Sequence, residues 1–242
     1  MRTMNALLLG LLCAALPAWA ADEAAIAAFS TAAPGEPPAA WKFATLPNKV
    51  ATKYSIVDLG GTKVLKVESD ESYGNLVHAV HVKATDQTTL SWRWRVDKLI
   101  EGADLKVRSG EDSAAKVCVS YAFDGSKLAF GERAKLALAR SSTGEDVPTE
   151  TLCYVWDNKL PPDTSFASAF TKRIRFIVLQ SGTGKLGQWV TQKRNIAADH
   201  QRMFGDESDG VVPDITAITV GADADNTHGH GLAYVGDLTL KP

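Results

Sequence analysis

Residues 90–96 read L-S-W-R-W-R-V. Along a strand, successive side chains point to opposite faces, so Leu90, Trp92, Trp94 and Val96 share one face and Ser91, Arg93 and Arg95 share the other. A helix would turn Trp92 and Trp94 nearly opposite each other and leave one indole in water. Burying both indoles is a large gain, so this run is read as a strand lying over a core with its two arginines outside.

The same two-residue period recurs along the chain. W-K-F-A-T (41–45), K-Y-S-I-V-D (53–58), T-K-V-L-K-V-E-S (62–69), N-L-V-H-A-V-H-V (75–82) and A-K-V-C-V-S-Y-A-F (115–123) read as strands, with Gly60-Gly61, D-E-S-Y-G and T-D-Q-T as turns. Further strands are expected at 151–156, 215–220 and 232–240, and a hairpin joining 173–180 to 188–192 across S-G-T-G-K-L-G. Helical spacing appears at 127–141 and at 195–205, where Asn195 is the N-cap candidate and Gly205 the residue just past the end. Many short strands without regular βα alternation predict an all-β fold: an antiparallel β-sandwich, jelly-roll-like, with two short peripheral helices.

The first twenty residues carry one arginine, an apolar run and the small-x-small ending Ala18-Trp19-Ala20, the pattern of a cleaved signal peptide. The run is too short to span a bilayer, and no other segment resembles a membrane span. An exported, periplasmic or secreted chain is expected, with an Ala/Pro-rich arm over 21–40 and a single domain over 41–242. A net charge of −2 gives no pull toward nucleic acid. Export places Cys118 and Cys153 where disulfides persist. Each lies in a strand-like run, so a bridge requires those strands to be neighbours; the alternative is two free thiols.

Alternation also selects candidate binding residues. Arg93 and Arg95 stand together opposite the tryptophans. In R-I-R-F-I-V, assigning Ile174, Phe176 and Val178 to the core leaves Arg173 and Arg175 opposite, and in A-K-V-C-V-S-Y Lys116 stands opposite Val117. On a shared sheet these cations would form a groove for an anionic ligand, since arginine forks bind carboxylates and sulfates in bidentate fashion. The alternative is a solvated face with salt bridges to Asp97, Glu111 or Asp112. Trp156 ends its strand before a polar loop and is a candidate platform for sugar rings; Trp189 and Tyr73 are weaker ones. The stretch G-A-D-A-D-N-T-H-G-H-G (221–231) offers Asp223, Asp225 and Asn226, whose oxygens suit Ca²⁺. It lacks the glycine and glutamate of an EF-hand loop. A polar turn and a transition-metal site through His228 and His230 are its other readings.

Several runs in order, L-S-W-R-W-R-V, E-D (111–112), L-C-Y-V-W (152–156), V-L-Q-S-G (178–182), M-F-G (203–205) and D-A-D-N-T…Y-V-G-D-L (223–238), resemble a bacterial exported family catalogued as domain of unknown function 3047. The resemblance covers about residues 41–240 and implies one exported domain, with no activity attached. The closing Y-V-G-D-L-T-L is also similar to the final strand of several carbohydrate-binding jelly rolls. There is no G-x-S-x-G elbow and no phosphate loop. The expected role is non-catalytic binding of a saccharide or an anionic cell-envelope ligand by Arg93, Arg95, Asp112, Trp156, Arg175, Asp223 and Asp225. A polysaccharide-active lyase or hydrolase on the same face is the alternative, and an envelope protein-interaction module the third reading.

Overall fold

A computed structural model describes residues 25–143 and 148–241; the expected signal peptide, 1–20, lies outside the described residues. The strands follow in order: β1 (Trp41–Ala44), β2 (Val50–Ala51), β3 (Lys53–Asp58), β4 (Lys63–Asp70), β5 (Ser72–Val82), β6 (Thr89–Lys98), β7 (Ser113–Tyr121), β8 (Glu150–Asp157), β9 (Ser165–Ala167), β10 (Ile174–Ser181), β11 (Val190–Asn195), β12 (Ile215–Asp223), β13 (His230–Val235) and β14 (Thr239–Lys241). Helix α1 (Phe130–Thr143) sits between β7 and β8, and α2 (Ile196–Phe204) follows β11.

These strands form a β-sandwich. The larger sheet runs β1-β5-β12-β7-β8-β10-β9, with β2 also on β5; the smaller runs β11-β6-β13-β4-β3, with β14 also on β6. Pairing is antiparallel except β10 with β8 and β2 with β5. The expected hairpin between 173–180 and 188–192 does not form. β10 stays in the larger sheet while β11 pairs with β6 in the smaller, so the loop between them carries the chain across the sandwich. The final expected strand is also divided, into β13 and β14.

Between the sheets lies the main core. Trp92 and Trp94 come from β6, and Tyr154 and Trp156 from β8. Ring centroids are 5.4 Å apart for Trp92–Tyr154 and 6.1 Å for Trp94–Trp156. A second, smaller apolar cluster lies on the outer face of the larger sheet, where Cys118, Cys153, Val155, Phe176 and Val178 pack under Leu105. Cys118 and Cys153 are direct register partners on β7 and β8 and are joined as a disulfide.

From Ala25 onward the Ala/Pro-rich segment is not a loose arm. Phe29 is fully buried and its ring lies 5.0 Å from that of Trp41. Trp41 Nε1 donates to the Ala27 carbonyl at 2.8 Å, and Asp237 accepts from the backbone N–H groups of Phe29 and Ser30. At α2, Asn195 caps the N-terminus by accepting from the Ala198 N–H at 2.9 Å. Gly205 keeps a right-handed φ of −55° rather than the left-handed turn expected of it, and the left-handed residues come later, at Asp209 and Gly210. No helix among the described residues is long and apolar enough to cross a membrane.

The bridge closes a loop across a sequence separation of 35, which in the chain-entropy model stabilises the fold by about 3–4 kcal/mol. Replacing both Cys118 and Cys153 with serine should lower the unfolding free energy by an amount of that order. Denaturant titration of the oxidised protein and the double variant checks it.

Candidate functional site

The expected cationic face is divided between the two sheets. Arg93 and Arg95 lie on the outer face of the smaller sheet, while Arg175 belongs to the larger. Alternation misassigned β10 because both of its faces are apolar. Phe176 and Val178 join the outer cluster, Ile177 and Leu179 enter the main core, and Arg175 shares their side. It sits at the strand end beneath α2. Its guanidinium lies 4.2 Å from the Phe204 ring centroid and donates to the Met203 carbonyl and to Glu207. Arg173 donates to Glu207 as well. This cluster fastens α2 and the turn behind it and leaves Arg175 no free fork for a ligand.

Trp156 is not a platform either. It is 1 % exposed, packs on Trp94, and donates Nε1 to the Gly182 carbonyl at 3.1 Å. Its strand does end at a polar loop, but the smaller sheet covers the ring.

The smaller sheet carries an open groove on its outer face, of about 360 Å³. Direct partners in an antiparallel pair point to the same side. Thr191 on β11 is therefore beside Arg93 on β6, and Tyr234 on β13 beside Arg95. Arg93 lies flat across Gly236, where a Cβ would come within 2.8 Å of its Cγ. Its guanidinium carbon lies 4.6 Å from the centroid of the Trp189 ring. Lys63, Ser30, Thr62, Ser91, Thr191 and Thr239 complete the lining. Neither Arg93 nor Lys63 has a carboxylate partner among the described residues. Arg95 is different: it forks onto Asp97 at 2.6 and 3.0 Å, and this bond holds its pKa above the ordinary arginine value. The groove's own carboxylate, Asp237, is engaged by Phe29, Ser30 and the Ser30 hydroxyl.

Asp223 and Asp225 converge elsewhere, at the end of β12 in the larger sheet, and there Asp112 joins them. One carboxylate oxygen from each lies within 4.8 Å of the others. Asp112 accepts from the backbone N–H and side chain of both Asn226 and Thr227, at 2.6–3.2 Å. It thus ties down the 224–229 turn. Asp223 accepts from the Ser113 N–H and from Lys116 Nζ at 2.8 Å, with the lysine stem crossing over Gly221. Burial pushes the Asp223 carboxyl up, Lys116 pulls it back without cancelling that, and the charges of Asp112 and Asp225 add to the rise. Asn226 turns its amide nitrogen toward Asp112 and the Glu111 carbonyl, so Asp112 takes the place in the cluster expected for Asn226. His228 and His230 face Glu71 and Asp70, respectively, and join no metal-ligating group among the described residues.

An acid–base pair also exists, but it is sealed. His200 on α2 and Glu150 at the start of β8 are both fully buried, 2.8 Å apart, where no substrate reaches them. Alternation placed Arg93 and Arg95 outside. It gave no signal for Lys63, and the part played by Tyr234 required knowing that β13 lies beside β6. Lys116 as the counter-ion of Asp223 required knowing that β7 lies beside β12.

The chain belongs to the family described as Protein of unknown function (DUF3047), whose model matches residues 39–239. No curated protein sequence matches it. Among solved structures, the chain is similar to the Endo-D glycoside hydrolase domain from Streptococcus pneumoniae R6, with 11 % identity and a TM-score of 0.32 over 83 % of this chain and 21 % of that one. It thus spans about a fifth of that structure. It is also similar to a family 12 xyloglucanase from Bacillus licheniformis, with 9 % identity and a TM-score of 0.39 over 84 % of this chain and 100 % of that one. A carbohydrate-binding module solved with β-1,4-galactotriose gives 8 % identity and a TM-score of 0.34 over 84 % of this chain and 88 % of that one.

The Arg173–Arg175–Glu207 cluster sets one pH dependence. Burial opposes ionisation of Glu207, yet Arg173 and Arg175 outweigh it and hold the carboxyl below the ordinary glutamate value. A depressed folded pKa contributes stability above the unfolded value of about 4.3, lost as pH falls through the folded one. Glu207→Gln should therefore flatten the decline in stability below about pH 4.3, read by denaturant unfolding at stepped pH. An unchanged profile would remove this cluster from the acid response.

Proposed function

We propose that this member of the unknown-function family DUF3047 is an exported, non-catalytic binding protein for a saccharide bearing anionic groups, held on the outer face of the smaller sheet. The observation that carries the reading is the groove at Arg93. An arginine whose stem rests on a glycine and whose guanidinium lies over an indole, with no carboxylate bonded to it, is held in position with its hydrogen-bonding edge unspent. Arginine in that state recognises carboxylate or sulfate. Lys63 supplies a second cation, and the hydroxyls of Thr62, Ser91, Thr191 and Thr239 offer the short-range donors and acceptors that a polyol needs. Trp189 and Tyr234 present half-exposed rings nearby, the surface on which sugar rings stack.

The same groove supports binding over turnover. Glycoside hydrolysis by the usual two-carboxylate route places two acids across the scissile bond. Here the lining has Asp237 alone, and three donors hold it to the N-terminal segment. The Asp112–Asp223–Asp225 cluster is on the other sheet. Export rests on the sequence of residues 1–20.

Hydrogen bonds to charged groups contribute about 1.5–3 kcal/mol each. Arg93→Ala combined with Lys63→Ala should therefore weaken binding to an acidic polysaccharide by at least about tenfold, with melting temperature little changed. Trp189→Ala should weaken acidic and neutral glycans alike. Affinity electrophoresis against a panel of both classes makes the measurement; retention of the double variant equal to the parent's would refute the reading.

A further inference from the structure

The carboxylate cluster of the larger sheet is independent of the groove and has an unspent group of its own. Asp225 has a side chain only 8 % exposed, and its Oδ2 is held by the ammonium of Lys49. Its Oδ1 is buried with no hydrogen-bond partner. A buried carboxylate oxygen without a partner forfeits its hydration, and native folds almost always satisfy such atoms with protein, water or an ion. Asp112 and Asp223 lie beside this carboxylate, one oxygen of each of the three within 4.8 Å of the others, a spacing that oxygen ligands adopt around one ion at 2.3–2.6 Å. The cations on hand differ in kind. Lys116 has a side chain 11 % exposed and is committed to Asp223, whereas Lys49 is 39 % exposed, on the loop between β1 and β2.

We propose that the Asp112–Asp223–Asp225 cluster is a divalent-cation site for which calcium is the fitting ion, with the Lys49 ammonium as a tethered counter-ion that calcium displaces. Asp225 offers both oxygens once Lys49 swings out, and Asp223 has lone pairs left beyond its bonds to Ser113 and Lys116. Asp112 already accepts four bonds from the 226–227 turn, about the capacity of a carboxylate. It contributes charge and holds the turn in place. With Lys116 retained, three carboxylates and one ammonium leave two negative charges, which one divalent ion neutralises. All-oxygen donors suit calcium over zinc, and one charge-compensated site of this kind binds in the range of extracellular calcium modules, roughly 10⁻⁴–10⁻³ M. The ion would bridge the end of β12 and the turn that follows it.

The test is thermal unfolding of the purified chain in calcium chloride, against sodium chloride of equal ionic strength and against chelator. A ligand that binds only the native state raises the melting temperature by mass action, by about 3–6 °C at calcium roughly ten times Kd for a chain of this size. Asp225→Asn should abolish the rise. Lys49→Ala, which removes the competing ammonium and none of the ligands, should keep it and reach the half-maximal shift at lower calcium. If Asp225→Asn fails to fold, Lys49→Ala alone decides the matter. The proposal is overturned by the absence of a calcium-specific shift in both the parent and Lys49→Ala, by a rise that persists in Asp225→Asn, or by Lys49→Ala requiring as much calcium as the parent.

Discussion

The packing of Trp92 and Trp94 on Tyr154 and Trp156 is the contact on which the sandwich depends. It joins β6 of one sheet to β8 of the other through four large rings, each no more than 2 % exposed. Aromatic pairs at this separation gain stabilisation beyond the area they bury. With the tryptophans of β6 fixed inward, the pleat leaves Arg93 and Arg95 no position but the outer face. The same contact removes Trp156 from any surface role. One packing decision therefore creates the groove and excludes a residue that would otherwise have belonged to it.

Charge is handled differently on the two sheets. On the larger sheet several charged groups are committed to one another or to the backbone: Arg173 and Arg175 to Glu207, Lys116 to Asp223, and Asp112 to the turn it caps. These pairs orient α2 and the 224–229 turn, and a partner lost from a buried pair leaves an uncompensated charge behind. On the smaller sheet Arg93 and Lys63 line a groove with hydroxyls and have no carboxylate bonded to them among the described residues. The molecule thus has a cationic groove on one sheet and an anionic cluster on the other, each with one group left to satisfy: the guanidinium edge of Arg93 and the buried oxygen of Asp225.

What could be read from the amino acids was whatever a single strand decides for itself. The two-residue period located the strands of the first hundred residues except the two-residue β2, and the cap at Asn195 followed from local chemistry. The outward placement of Arg93 and Arg95 followed from indoles that had to be buried. Where a strand is apolar on both faces, as β10 is, alternation has no contrast to report, and so Arg175 was assigned to the wrong side. The packed arm was hidden for a similar reason: alanine and proline carry little pattern, and the anchoring residue, Phe29, reaches its pocket only once Trp41 and Asp237 are in place.

Pairing between distant strands belongs to the tertiary structure alone. Cys118 could meet Cys153 only if β7 lay directly beside β8, which no local pattern encodes. Asp112 and Asp225 are far apart in the chain, and their convergence depends on β12 inserting between β5 and β7. Lys63 reaches Arg93 across β13, and the apparent hairpin after β10 became a crossover because β11 finds its partner in β6. The sequence by itself determined the β class and the faces of its most amphipathic strands, because burial of large apolar side chains acts residue by residue. Which strand lies beside which, and hence every site made of more than one segment, was decided by the assembled core, because those contacts exist only after the two sheets have closed on each other.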